Sequence, residues 1–99
     1  MQVLTQYSEE DFKENRYGRA YYCTDFEIKD KDNIVQCCVL IQENGKYYHD
    51  KETDYFEFES KGFEVEVYSL TVYDKDDEII KKVNEEEIIK KIKKLLSNG

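Results

Sequence analysis

Asp54-Tyr55-Phe56-Glu57-Phe58-Glu59-Ser60-Lys61-Gly62-Phe63-Glu64-Val65-Glu66-Val67-Tyr68 is the stretch whose reading decides the fold. On both sides of Ser60-Lys61-Gly62, apolar residues alternate with acids or tyrosines, the period of a half-buried strand. A two-residue turn at Lys61-Gly62 then predicts a hairpin that pairs Ser60 with Phe63. In that register Glu59 faces Glu64, Phe58 faces Val65, Glu57 faces Glu66, Phe56 faces Val67 and Tyr55 faces Tyr68. One face is apolar, and the other carries four carboxylates flanked by two phenols. Like charges directly across a sheet destabilise it, so such a face calls for a reason.

Outward from this stretch, the phase of the apolar residues changes between Val67 and Leu70, which predicts a bulge near Tyr68-Ser69. Asp74-Lys75-Asp76-Asp77 is turn chemistry, and Glu78 to Val83 predicts a short return strand. Asn84-Glu85-Glu86-Glu87 forms a capping box. The helix it starts places Ile88, Ile89, Ile92, Leu95 and Leu96 on one stripe. Acids open this helix and lysines close it, matching its dipole, with Glu86–Lys90 and Glu87–Lys91 paired four apart and Ser97-Asn98-Gly99 at its end.

Upstream, Asn44-Gly45 signals a hairpin turn, with Lys46 to His49 beginning the returning strand and Asp50 to Thr53 a polar break. Ile34 to Gln42 is nearly continuous apolar and reads as a central strand covered on both sides. Asp30-Lys31-Asp32-Asn33 is another turn. Arg19 to Lys29 alternates, with Ala20, Tyr22, Thr24, Phe26 and Ile28 on one face and Tyr21, Cys23, Asp25 and Glu27 on the other. Ser8-Glu9-Glu10-Asp11 predicts a short N-terminal helix capped by Ser8, anchored by Phe12 and ended by Gly18. The expectation is one α+β domain over residues 1–99. It comprises an antiparallel sheet of four to six strands, a short N-terminal helix, and a C-terminal amphipathic helix packed on one face.

The chain has 99 residues and a formal net charge of −8, unevenly spread. Residues 1–80 carry 20 acids and 9 bases, and residues 81–99 carry 3 acids and 6 bases. Such a body repels phosphate backbones and anionic membranes, which argues against direct nucleic-acid or membrane binding and for a cationic protein partner. Cys23, Cys37 and Cys38 have no metal-ligand spacing. With no signal peptide and no stretch long enough for a membrane span, they read as free thiols in a reducing cytoplasm. Neighbours on a strand point to opposite faces, so one of Cys37 and Cys38 is expected buried and the other more exposed.

No motif names a reaction. His49 is the only histidine, a strand-end residue, and the four glycines form no phosphate-binding loop. Asp74-x-Asp76-Asp77-Glu78 and Asp30-x-Asp32-Asn33 echo the start of a calcium loop. Both lack its glycine at the sixth position and its distal bidentate glutamate, so no metal or cofactor is expected. The expected site is a partner-binding surface. Glu57, Glu59, Glu64 and Glu66 form its centre, Tyr55 and Tyr68 add rigid contact area, and Asp54, Asp74, Asp76 and Asp77 extend it. Alternate residues of a strand stand about 6.6–6.8 Å apart, close to the roughly 6.8 Å rise of two steps along a DNA strand. Carboxylates also accept bidentate bonds from arginine.

In this acidic ladder and its small acidic single domain, the chain resembles the anti-CRISPR and anti-restriction proteins of phages and mobile elements. The resemblance is one of composition, so it assigns no residue a role. It implies a non-enzymatic inhibitor of an RNA-guided nuclease in a bacterial host cell, acting by mimicry or by blocking or dimerising its target. The alternative expectation is a phage or bacterial structural protein that self-associates through its sheet edge or last helix.

Overall fold

Two polar turns, and no others within the sheet's long strands, set the architecture. The first joins Asp30 to Asn33, which pair directly, with Lys31 taking the left-handed φ of 57°. The second joins Asp50 to Tyr55. There Asp54 N–H donates to Asp50 O at 2.8 Å, Glu52 N–H donates to Asp50 Oδ1 at 2.9 Å, and Asp54 has φ 60°. Asx-type bonding of this kind is why Asp ends strands. The computed structural model describes residues 1–97.

The described residues form a five-stranded antiparallel sheet and one α-helix. The strands are β1 (Gln2–Val3), β2 (Lys13–Asn15), β3 (Gly18–Asp30), β4 (Asn33–Asp50) and β5 (Tyr55–Tyr73), and the helix α1 is Glu85–Ser97. The order is β1-β3-β4-β5, with β2 on the same outer edge of β3 as β1 but at its other end. Phe26, Ile28, Val35, Cys37, Val39, Ile41, Val65 and Val72 make one buried stripe, closed by Ile92 and Leu96 of α1. The α+β class and the C-terminal helix on one face agree with the sequence. So do the turn at Lys31-Asp32 and the bulge at Tyr68, which lies between the pairs Cys38–Ser69 and Val39–Val67. Asn84 Oδ1 accepts from Glu87 N–H at 3.2 Å, as a capping residue does, and Lys91 Nζ lies 3.7 Å from Glu87 Oε1. The expected helix end at Asn98-Gly99 lies outside the described residues.

The central hairpin is different from the one expected. Neither Asn44-Gly45 nor Lys61-Gly62 turns the chain; β4 and β5 run straight through both. The two dipeptides lie beside each other, Asn44 opposite Gly62 and Gly45 opposite Ser60, with Lys61 left over as a bulge. Gly45 is needed for closeness: a Cβ there would collide with Glu59 O and crowd the Phe58 ring. Gly62 carries φ 140°, a backbone that L side chains resist, which suits a bulge. The resulting ribbon makes the molecule 54 × 21 × 19 Å.

Four further expectations change. The N-terminal helix is only a 3₁₀ turn at Glu9–Asp11, because Lys13–Asn15 pair with Gly18–Ala20 as β2. Asp11 Oδ2 still accepts from Ser8 N–H at 2.8 Å, and Phe12 still packs on the core. In β3 a bulge at Thr24-Asp25 flips the phase, so Tyr21, Cys23, Phe26 and Ile28 point inward while Tyr22 and Glu27 point out. Around β4 only one face is buried; Ile34, Gln36, Leu40 and Gln42 on the other are half-exposed. Cys37 and Cys38 lie on opposite faces as expected, Cys38 the more exposed of the two at 9%, with its Sγ donating to the Tyr22 hydroxyl at 3.2 Å. The Glu78–Val83 return strand reduces to the bridge Tyr73–Ile79, with Ile80 N–H donating to Val72 O at 2.8 Å.

Candidate functional site

Because β4 has no bulge of its own between Leu40 and Tyr48, its even-numbered residues share one face, and so do their partners. Those partners are Glu66 opposite Leu40, Glu64 opposite Gln42, Gly62 opposite Asn44, Glu59 opposite Lys46 and Glu57 opposite Tyr48. The four glutamates therefore lie in one row along β5, on the face away from the buried stripe. The expected register, with Glu59 against Glu64 and Glu57 against Glu66, is replaced by pairs in which no acid faces an acid. The like-charge cost of that register disappears. Glu57 and Glu59, and likewise Glu64 and Glu66, stand about 6.7 Å apart and repel by only about 0.6 kcal/mol in water before screening, while Gly62 holds Glu59 and Glu64 about 13 Å apart.

The row spans nine residues of β4, Leu40 to Tyr48, about 26 Å. Tyr48 Oη donates to Glu57 Oε2 at 2.6 Å, and that bond and the negative charge of Glu57 raise the phenol above its ordinary pKa. Lys93 Nζ of α1 reaches Glu66 Oε2 at 3.7 Å around the edge of β5. Lys46 is the cross-strand neighbour of Glu59.

The other expected site residues separate. Tyr55, 72% exposed, pairs with Asp50 and stands on the glutamate face at the hairpin tip. Tyr68 is the bulge residue, so the two phenols expected to face each other sit about 36 Å apart along the ribbon. Asp54 lies in the tip turn and is 2.7 Å from His49 Nε2, which belongs to the opposite face. Asp74, Asp76 and Asp77 are at the far end of β5. Asp74 Oδ1 there accepts from the N–H groups of Asp76 and Glu78, at 2.9 Å each, and so shapes the turn. The acidic surface is thus the glutamate row, not the wider patch.

The sequence reading missed a buried charge site. Arg19 Nε donates to Glu43 Oε1 at 2.5 Å, Arg19 Nη2 lies 3.3 Å from Glu9 Oε1, and the guanidinium stacks 4.3 Å over Phe58. Burial works against its charge, but bonds to Glu43, Tyr47 and Glu9 outweigh that and hold its pKa above the ordinary value. Half of the signal was there: Glu43 continues the inward phase of Val35, Cys37, Val39 and Ile41, whereas Arg19 shares the core face with Phe26 and Ile28 only because of the bulge at Thr24-Asp25. A cavity of about 190 Å³ beside the pair is lined by Tyr7, Phe12, Phe63 and Leu96 among others. Its charged groups already satisfy one another, and among the described residues no buried side-chain polar atom lacks a partner.

Among the described residues, no three His, Cys, Asp or Glu side chains are grouped to hold a metal ion, and no helix is long and apolar enough to cross a membrane. No protein-family model, curated protein or solved structure matches the chain.

Proposed function

We propose that this chain is a non-enzymatic acidic inhibitor that lays its β5 glutamate row against the basic groove of a nucleic-acid-handling enzyme. The target class is an RNA-guided nuclease in a bacterial host cell, as in the anti-CRISPR proteins it resembles in composition. One observation carries the reading: Glu57, Glu59, Glu64 and Glu66 stand in a single row on one face of a narrow, 54 Å-long molecule. Within the pairs Glu57–Glu59 and Glu64–Glu66 the spacing is close to that of phosphates two steps apart, and across Gly62 it doubles. Arginines and lysines placed to grip a backbone can therefore meet carboxylates instead, and bidentate pairing adds specificity. The three free thiols fit a reducing interior.

The test is competition. Purified protein is titrated into RNA-guided nucleases holding a fluorescent target duplex, at low and high salt. Displacement at low salt that weakens steeply with added salt, and is lost in the Glu57→Lys/Glu66→Lys double variant, is the expected result. Equal displacement by the double variant, or none by the parent protein across the nuclease types, overturns the reading.

A further inference from the structure

Past Gly18, β3 no longer flanks β4, and the β4–β5 ribbon continues alone to the tip turn. Antiparallel pairing gives every backbone group of this arm a side. Gly45 N–H points away from β5, donating to Tyr17 O at 3.0 Å. Tyr47 and His49, two and four residues on, therefore also turn their backbone groups away from β5. Their partners Phe58 and Phe56 turn theirs to the outer edge of β5. The phase repeats at the other end of the strand, where Val72 O, on that same edge, accepts from Ile80 N–H. At Phe56 and Phe58 no backbone hydrogen bond arrives from that side among the described residues. The helix meets β5 farther along, at Glu66 and beside Phe63.

An unpaired edge is a template for another strand. Sheets blunt such edges with bulges and lysines, and β5 has both at Lys61, but the run from Tyr55 to Ser60 is clear. It is long enough for an ordinary strand pairing of about 5–6 residues. The side chains along it choose the occupant. Glu57 and Glu59 border it on one face, Phe56 and Phe58 on the other, and Phe56 is 74% exposed. A second copy of this chain would bring acids to acids and is disfavoured. A strand alternating basic and aliphatic residues places cations beside Glu57 and Glu59 and covers the two phenylalanines. We infer that the outer edge of β5 from Tyr55 to Ser60 receives an extended basic–aliphatic strand of a partner protein. The inference rests on the acidic-inhibitor reading and specifies how the cationic partner presents itself.

Three peptides test it: Thr-Val-Lys-Val-Lys-Val-Thr, the same peptide N-methylated at its valines, and the same peptide N-methylated at its lysines. In an antiparallel pairing, the orientation inferred here, residues opposite Phe56 and Phe58 turn their own N–H groups to β5, so valine methylation removes the edge bonds and lysine methylation spares them. All three carry the same charge. The expected result is binding of the parent and lysine-methylated peptides, with slowed amide exchange at Phe56 and Phe58. The valine-methylated peptide should bind at least about tenfold more weakly. Equal binding of all three overturns the edge pairing while leaving the acidic face as a cation site. Binding by none also overturns it, and the nuclease competition then decides the parent reading separately.

Discussion

Arg19 and Glu43 sit directly opposite each other on β3 and β4, joined through Nε and Oε1, with side chains only 10% and 8% exposed. Their position is where the body of the sheet gives way to the two-stranded arm, and Phe58 of the arm lies under the guanidinium. Removing one partner of a buried pair leaves the other charge stranded, at a cost of about 3–5 kcal/mol. Arg19→Met should lower the unfolding free energy by that amount in urea titration. Arg19→Met with Glu43→Leu should recover most of it, since apolar replacement of both partners is often neutral or stabilising. Glu9 is 83% exposed, so Glu9→Gln should cost less than about 1 kcal/mol.

Gly45 is held by proximity and not by a turn. A methyl group there meets the backbone of Glu59, which cannot move without opening the ribbon. Gly45→Ala should therefore cost about 1–3 kcal/mol, the range for overpacking a fitted site. The denaturation midpoint should fall with an unchanged slope. A variant as stable as the parent would mean that the arm is not paired this closely.

Burial, with the charges of Cys38 and Cys23 added, pushes the Cys37 thiol up to about 11 from an ordinary 9.0. Its raised value in the folded state means that the unfolded chain loses the proton first. The associated stability is whole below pH 9 and is lost as pH rises from about 9 through 11. Tyr7 and Tyr21, raised mainly by burial, add losses of the same sign at higher pH. The difference in stability between the parent and Cys37→Val, followed by thermal melts across this window, isolates the cysteine. The parent should lose stability faster, and parallel curves would contradict the buried thiol.

Much of the fold was written locally. Lys31-Asp32 and Asp74–Asp77 turn where their composition says they should, and the apolar phase step from Val67 to Leu70 revealed the bulge at Tyr68. The same phase logic, applied farther along, would have corrected the hairpin. Phe56 and Phe58 are even-numbered while Phe63 and Val65 are odd, the one-residue step of a bulge at Lys61. Ile41, Glu43, Tyr47 and His49 keep a single phase through Asn44-Gly45, as a continuous strand must. Asn-Gly is a strong local turn signal, and Lys61-Gly62 mimics a turn because it separates two alternating runs, so turn propensity masks the phase. Glycine serves close approach as readily as reversal, and only the pairing partner across the sheet tells the two apart. The glutamate row was visible as alternation, but its placement along one strand depended on that same register.

The bulge at Lys61 makes that register testable. Deleting Lys61 leaves Gly62 opposite Asn44 and Ser60 opposite Gly45, so the ladder becomes regular and Glu57 and Glu59 stay on the face of Glu64 and Glu66. Inserting an alanine between Gly45 and Lys46 also makes the ladder regular, but it rotates the arm by one residue and sends Glu57 and Glu59 to the opposite face. Both variants lose the bulge and both keep the body of the sheet, so far-ultraviolet circular dichroism should report native strand content for each. If the row acts as one surface, the deletion should still displace duplex from the nuclease, and the insertion should lose at least about tenfold in affinity. Equal competition by the two variants would show that the arm's glutamates contribute nothing by their facing.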